Sequence, residues 1–190
     1  MSTIFIKTDR LSLYTLEEDL VTLKYTSWFN DDRVCMYNSH RRFPYLLSEN
    51  SAYVKSLVDN RNNIVLAIVE TKTNKHIGNI SLQNINFIDR SAEIAFIIGD
   101  FEAWGKGYAT EAGKALISHA FAQLNLHRIY LGTSDDNIGM QSVATKLGFK
   151  KEGVRVDAIY NNGTYHSIIE YGLIRDKDKN YSKKLIYREN

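Results

Sequence analysis

Two glycines one residue apart, Gly105 and Gly107, stand between an apolar stretch typical of a strand and a longer stretch typical of a helix. Glycine leaves its backbone N–H unobstructed and tolerates the conformations of a tight turn. The following helix directs the positive end of its dipole to the same place. Either the glycines only form a turn, or this junction binds an anion without a metal, and phosphate or pyrophosphate is then the first ligand to consider.

Two common nucleotide-binding loops do not fit the sequence of this junction. The loop of magnesium-dependent nucleotide enzymes needs glycine at 100 and Ser or Thr at 107, where Asp100 and Gly107 stand. A dinucleotide fingerprint needs glycine or alanine at Thr110 and an acidic residue near Tyr130 and Leu131. The sequence therefore favours a phosphate ligand that needs neither magnesium nor recognition of a ribose hydroxyl.

Three segments resemble one enzyme family in order and spacing. They are AEIAFII at 92–98, WGKGYATEA at 104–112, and LHRIYLGTSDDN at 126–137, which leads to KLGF at 146–149. They resemble the GNAT N-acetyltransferases, in the branch of ribosomal-protein alanine and polyamine acetyltransferases. The resemblance implies an α/β fold with a mixed, mostly antiparallel central sheet, helices on both faces, and splayed strands at an acetyl-CoA site. It also implies an acyltransferase with acetyl-CoA as co-substrate.

The resemblance assigns acetyl-CoA contacts to the end of one strand, the glycine loop and the first helical turn. Backbone groups near the strand end are expected to bind the thioester oxygen and the pantetheine arm. A later asparagine also opens a helix, and its side chain is a good cap there on chemical grounds alone. The expected residues are Ile97, Ile98, Gly99, Trp104, Gly105, Lys106, Gly107, Tyr108, Ala109, Thr110 and Asn137.

Glu93 is conspicuous at the start of a strand that is otherwise apolar on both faces. A carboxylate beside a bound thioester can take a proton from an attacking ammonium group, directly or through water. We predict that Glu93 is the general base, and a glutamate here recurs in the family branch that the chain resembles. The alternative is a structural carboxylate, exposed or paired with Arg90 or Arg128.

The positions where relatives carry an acid or a second carboxylate are replaced. Ala144 stands where many relatives have tyrosine, Met140 where the ribosomal branch has serine, and Ile159 where that branch has a carboxylate. Asp157 lies two residues from Ile159 and is interpreted as a solvated charge. The thiolate is then expected to leave unaided or through water. These losses also favour a rival function, a non-catalytic acyl-CoA-binding module.

Acceptor choice is expected to depend on the first 60 residues and the last hairpin. Aromatic side chains with nearby carboxylates, Asp31 and Asp32, suit a polar amine, although most such aromatics are core residues. We predict substrate contacts from Trp28, Tyr37 and Tyr160. A small-molecule amine such as an amino sugar is expected, with a protein N-terminus or a polyamine as the alternatives.

Composition indicates one domain over 1–190, with a core at about 4–175 and a charged tail at 176–190. The 190 residues are 44% hydrophobic, which suffices for one buried core. The net charge of +2 and the lack of a basic stripe or long apolar span argue against nucleic acid and membrane partners. Cys35, the only cysteine, excludes an internal disulfide. We expect a cytoplasmic monomer or homodimer without a bound metal.

Apolar periodicity predicts alternating strands and helices along the chain. Thr15 with Glu18 forms a capping-box pattern, and Asn161-Asn162-Gly163 is a hairpin-turn signal. The expected elements are a strand at 4–14, a helix at 15–29, helical segments at 31–38 and 48–60, strands at 63–71, 76–86 and 91–98, a helix from 105, a strand at 128–133, a helix at 137–147 and the final hairpin.

Overall fold

A computed structural model describes residues 2–181, so the end of the predicted charged tail lies outside the described residues. The strands are β1 (Ile4–Lys7), β2 (Leu11–Thr15), β3 (Ile64–Glu70), β4 (Lys75–Asn86), β5 (Ser91–Ile98), β6 (Arg128–Ser134), β7 (Lys150–Asn161) and β8 (Thr164–Ile174). The helices are α1 (Leu23–Trp28), α2 (Leu47–Ser56), α3 (Tyr108–Ala122) and α4 (Ile138–Leu147), with short 3-10 turns at Glu18–Leu20 and Phe101–Ala103.

The eight strands form one sheet in the order β1-β2-β3-β4-β5-β6-β8-β7. Neighbours are antiparallel except β5 and β6, which run parallel. Their register holds for only three pairs, from Ser91 with Arg128 to Glu93 with Tyr130. Beyond these pairs the two strands separate and leave a cleft between them. The part of β5 that follows Glu93, which we call its upper part, therefore has an edge without a strand partner. The mixed sheet with splayed strands, expected from the resemblance, is confirmed.

Apolar side chains on the two faces of the sheet form separate cores. On one face, Ile94 of β5 packs with Ala112 and Leu116 of α3, and we call this the α3-side core. On the other face, Ile97 packs with Trp28 and other residues of α1 and α2 in the α1-side core. Because side chains alternate along a strand, β5 contributes to both cores. The apolar character of both faces of this strand has its cause here.

The predicted strand at 4–14 is wrong as a single element, since it is the hairpin of β1 and β2. The polar residues between the strands form a turn in which the Thr8 amide donates to the Leu11 carbonyl at 2.8 Å. The Thr8 hydroxyl and the Leu11 amide are also within hydrogen-bond distance, at 3.0 Å. Apolar alternation continues through this turn, so periodicity alone does not reveal it.

The helix predicted from Thr15 to Phe29 is also corrected. Thr15 ends β2, and a 3-10 turn and a short break precede α1. The cap of α1 is Thr22, whose hydroxyl oxygen accepts a hydrogen bond from the Tyr25 amide at 3.1 Å. Glu18 instead forms an ion pair with Lys55 of α2 at 3.0 Å. Thr15 and Glu18 therefore do not form a capping box, because Thr15 belongs to β2 and Glu18 pairs with Lys55.

The segment at 31–38 consists of turns rather than the predicted helix, and α2 is shorter than the predicted 48–60. The Asp31 carboxylate accepts from the Arg33 amide at 2.9 Å, a local turn that competes with helix formation. The β3–β4–β5 meander, α4 and the β7–β8 hairpin are confirmed. In the hairpin turn, Asn162 and Gly163 have φ of 49° and 85°. Within residues 2–181, no helix has the length and apolarity needed to cross a membrane.

Candidate active site

The glycine loop lies at the end of β5 and leads directly into α3. Gly105 and Gly107 have φ of 72° and 80°, in the left-handed region that favours glycine, and Gly107 is the N-cap of α3. Among residues 2–181, no backbone acceptor is found for the six successive amides of residues 105–110. A row of amides without backbone acceptors at a helix N-terminus can bind an anion, and anion binding at this junction stays a prediction.

The loop is fastened to the β1–β2 turn by Glu111 in the first turn of α3. Its carboxylate accepts from the Thr8 hydroxyl at 2.7 Å and from the Arg10 amide and guanidinium at 2.8 and 2.7 Å. Arg10 also donates to the Lys106 carbonyl at 3.0 Å. Burial alone would raise the pKa of Glu111, but these hydrogen bonds and the Arg10 charge lower it below its ordinary value. We call these contacts of Glu111 with Thr8 and Arg10 the clamp. Sequence spacing does not predict it, since its partners are about a hundred residues apart.

Tyr108, the first residue of α3, has a structural side chain. Its ring lies 4.6 Å from the Arg10 guanidinium carbon, and its hydroxyl donates to the Glu70 carboxylate. The hydrogen bond to Glu70 raises the pKa of Tyr108, so the phenol remains protonated. Thr145 likewise donates back to the Gln141 carbonyl at 3.0 Å. Neither hydroxyl supplies the acid that is missing at Ala144 and Met140.

The upper part of β5 presents one ladder edge to β4 and the other to the open cleft. The Ile97 carbonyl lies against Gly78 of β4, and Gly99 donates to the Ile77 carbonyl at 3.0 Å. Because successive residues direct their backbone groups to opposite edges, Ile98 faces the cleft. The Trp104 indole donates to the Ile98 carbonyl at 2.8 Å, a side-chain role that the sequence analysis did not foresee.

Glu93 lies at the last registered pair before β5 and β6 separate. Of the two structural alternatives, an exposed carboxylate and a paired one, the ion pair with Arg90 or Arg128 is not formed in residues 2–181, and Glu93 is partly exposed. Arg90 donates to the Asn125 carbonyl at 2.7 Å, and Arg128 pairs with Glu152. In the described part of the chain, the Glu93 carboxylate accepts only one long hydrogen bond, from the side-chain Nδ2 of Asn84 at 3.5 Å. Its carboxylate is therefore not neutralised by a cation.

Tyr130 stands opposite Glu93 across the parallel pair and shares its face of the sheet. Burial and the negative charge of Glu93 raise the pKa of Tyr130, and the Arg128 charge opposes this. The sequence analysis did not single out this hydroxyl as functional, because the β5–β6 register is not visible in the sequence. A carboxylate and a phenol thus lie together where the cleft closes.

Asn137 caps α4, as predicted, since its side-chain oxygen accepts from the Met140 amide at 3.0 Å. The residues before it form an exposed corner with the hairpin. The imidazole of His166 lies 3.4 Å from Asp136 and 3.7 Å from Asp135. The possible metal-ligand atoms of these three side chains all lie within 4.8 Å of one another, a grouping that the sequence spacing does not indicate.

The three predicted substrate residues are not equivalent. Trp28 is only 4% exposed and belongs to the α1-side core, where a side chain at Gly99 would collide with its ring. Tyr37 and Tyr160 are 36% and 53% exposed. Tyr160 lies on the wall of a cavity of about 330 Å³ between the 31–42 segment and the β7–β8 turn. The structure thus buries Trp28 in the α1-side core and leaves Tyr37 and Tyr160 exposed, and the substrate contacts of these three residues stay a prediction.

The sequence matches one protein family and several curated proteins. The family described as "Acetyltransferase (GNAT) domain" matches residues 10–150. The putative ribosomal N-acetyltransferase YdaF of Bacillus subtilis is 37% identical over 99 residues, which cover 52% of this chain and 53% of that protein. The spermidine N(1)-acetyltransferase of Vibrio cholerae is 34% identical over 116 residues, covering 61% and 66%. The alignments therefore span less than two thirds of these two relatives.

A solved structure extends the likeness to nearly the whole fold. It is the spermidine N-acetyltransferase from Vibrio cholerae in complex with CoA and spermine. The two folds superpose with a TM-score of 0.79 at 26% identity, and the match covers 88% of this chain and 96% of that one. The sheet, the cleft and the loop before α3 therefore lie within a shared architecture.

Proposed function

This chain belongs to the GNAT acetyltransferase family, and we propose that it transfers the acetyl group of acetyl-CoA directly to a primary amine. The observation that carries the proposal is the row of unpaired amides at 105–110, at the N-terminus of α3 and beside the open edge of β5. Backbone donors and a helix dipole match a pyrophosphate without a metal.

The residues present fit acetyl-CoA along its length. The residues proposed for the pyrophosphate are Trp104, Gly105, Lys106, Gly107, Tyr108, Ala109 and Thr110. The amides of 105–110 would donate to it, whereas the Trp104 amide already donates to the Phe101 carbonyl at 3.1 Å. The pantetheine arm would run along the open edge of β5 past Ile97, Ile98 and Gly99 in the manner of an added strand. Only Ile98 of these three directs its backbone groups to the cleft, since the Gly99 amide donates to β4 at the Ile77 carbonyl. The five residue steps from Ile98 to Glu93 span about 17 Å. Asn137 would contact the cofactor from the facing side of the cleft.

Glu93 is proposed as the general base because it lies where the cleft closes and has no cationic partner in residues 2–181. The amine nitrogen would form the new bond to the carbonyl carbon of the thioester and lose a proton to Glu93 through intervening water, because a carbonyl oxygen held at Ile98 lies several residue steps from Glu93. The carbon–sulfur bond then breaks and CoA leaves as the thiolate, which takes its proton from water. The Ile98 amide, on the open edge, is placed to donate to the carbonyl oxygen.

A small-molecule amine such as an amino sugar is the acceptor that we propose. The cavity beside Tyr160 is small, and its wall carries two arginines, which disfavours a polycation. The second candidate is a ribosomal-protein-type or polyamine acetyltransferase, and the names of the two curated relatives favour it. We further propose a cytoplasmic monomer or homodimer, with no nucleic-acid or membrane partner.

Release of CoA thiol from acetyl-CoA tests the activity. The acceptor panel contains glucosamine, spermidine, an alanine-ended peptide and a lysine peptide, and acetyl-CoA binding is measured separately by calorimetry. Amine-dependent release with one acceptor class supports the transferase and identifies its substrate class. Acetyl-CoA binding with no release for any amine would contradict the transferase and favour the non-catalytic binding module.

A further inference from the structure

A cavity of about 330 Å³ lies between two segments that are distant in sequence. The Arg42 guanidinium donates to the Tyr160 carbonyl at 3.0 Å, and the side-chain amide of Asn161 donates to the Met36 carbonyl. These contacts join the turns before α2 to the tip of the β7–β8 hairpin. The cavity is therefore an open pocket between two segments that polar tertiary contacts hold together.

The charges in this cavity are not balanced. Arg41 forms an ion pair with Asp32 and also donates to the Asn30 carbonyl at 3.0 Å. Arg42 has no carboxylate within ion-pair distance anywhere in residues 2–181. The nearby His40 adds no fixed charge, because burial lowers its pKa. The Arg42 guanidinium thus lines the cavity with an uncompensated positive charge. It also has N–H donors other than the one that binds the Tyr160 carbonyl.

Contacts place the cavity on the opposite face of β5 from the glycine loop. The Cys35 thiol, on the cavity wall, donates to the Trp28 carbonyl at 3.3 Å. The Trp28 ring lies directly against Gly99, the residue after β5. The α3 helix, with the unpaired amides at its N-terminus, packs on the other face. The cavity therefore lies on the α1 side of β5, and the helix that follows the glycine loop lies on the α3 side.

We propose that the acceptor carries an anionic group, a phosphate or a carboxylate, in addition to its amine, and that Arg42 binds this group. The proposal rests on the proposed function, since it concerns the acceptor side of the same site. A guanidinium binds planar or tetrahedral oxyanions through paired hydrogen bonds. The same charge repels a polyamine, so Arg42 would select against spermidine.

Matched amines with and without phosphate test the proposal. The pairs are glucosamine with glucosamine 6-phosphate and ethanolamine with phosphoethanolamine, titrated by calorimetry into the protein loaded with CoA. At least one phosphorylated amine should bind about tenfold more tightly than its partner, the affinity ratio expected of a charge-assisted contact. Arg42→Gln should remove that difference and leave acetyl-CoA affinity unchanged, with a small fall in melting temperature from the lost hydrogen bond to the Tyr160 carbonyl.

Arg33→Gln is the matched control, because Arg33 lies in the same segment but pairs with Asp31 and covers the Phe101 ring. It should keep the preference for the phosphorylated amine. Equal binding within both pairs, or a preference that persists in Arg42→Gln, would overturn the proposal. Failure of the proposed function would show instead as absence of acetyl-CoA binding, or of amine-dependent thiol release, in the wild-type protein, and both are measured first.

Discussion

The two sides of the cleft use different parts of the chain. On the α3 side, the glycine loop at 105–110 offers backbone amides from one continuous segment. On the α1 side, the cavity is lined by side chains from the 31–42 segment and the hairpin tip, more than a hundred residues apart. Backbone amides are present whatever the side chain, so the glycine loop suits a ligand that is constant across a family. Each substitution in the cavity wall instead changes what the cavity can bind. Under the proposed function, acetyl-CoA binding and acceptor choice therefore depend on different parts of the chain.

Gly107→Trp should produce the largest effect and is confined to the α3 side. A tryptophan at φ 80° is strained, and its side chain would obstruct the amides of the first helical turn. We expect acetyl-CoA affinity to fall more than about a hundredfold, with calorimetry as the measurement.

Gly153→Trp is the control, because a side chain there meets open space and Gly153 has no left-handed φ. It should bind acetyl-CoA like the wild-type protein. Retained affinity in Gly107→Trp, with a normal melting temperature, would show that the glycine loop is not the phosphate site.

Glu93→Gln should separate chemistry from binding. Loss of a general base lowers kcat by about a hundredfold or more, while the acetyl-CoA Kd stays within about twofold because no backbone donor changes. Steady-state thiol release measures the first and calorimetry the second. Asp157→Asn is the matched control, since asparagine tolerates the φ of 48° there. If both variants kept wild-type kcat, Glu93 would not be the base.

Glu111→Gln should weaken the clamp on the loop and reduce acetyl-CoA affinity by about tenfold. The lowered pKa of Glu111 means that its charge stabilises the folded state above its unfolded pKa of about 4.3, and that this stabilisation is lost as pH falls through the folded pKa. Melting temperatures of the two proteins should therefore converge over the pH range below about 4.3. A constant difference across this range would exclude an ionised Glu111 as the clamp.

Tyr160→Ala should have the smallest effect and only on the α1 side. The ring contacts Tyr165 at 5.0 Å between centroids and lies at the cavity wall, whereas Arg42 contacts the Tyr160 backbone. We expect the acceptor KM to rise about threefold, as for loss of one aromatic contact, and the acetyl-CoA KM to stay constant. A change in the acetyl-CoA KM instead would break the separation between the two sides.

The sequence predicted the elements whose signals are local. Gly105 and Gly107 predicted the turn before α3, and Asn137 was predicted as the cap of α4. The run from Asn161 to Gly163 predicted the turn of the last hairpin. The 31–38 segment was misjudged because apolar spacing resembles a helix even where side-chain hydrogen bonds from Asp31 favour turns.

What the sequence could not supply depends on tertiary register. The clamp of Glu111 by Thr8 and Arg10 joins positions about a hundred residues apart. The pairing of Glu93 with Tyr130 follows from which strands are neighbours and where they separate. Neither leaves a periodic or spacing signal in the chain, so only the folded sheet reveals them.

The central claim, that the amides of residues 105–110 hold the pyrophosphate of acetyl-CoA, is tested most directly by amide NMR of the 15N-labelled protein titrated with CoA. The account predicts that the largest shifts occur at Gly105 to Thr110, with smaller ones along the upper part of β5. Unchanged resonances at 105–110, together with large shifts around the cavity beside Arg42, would contradict it.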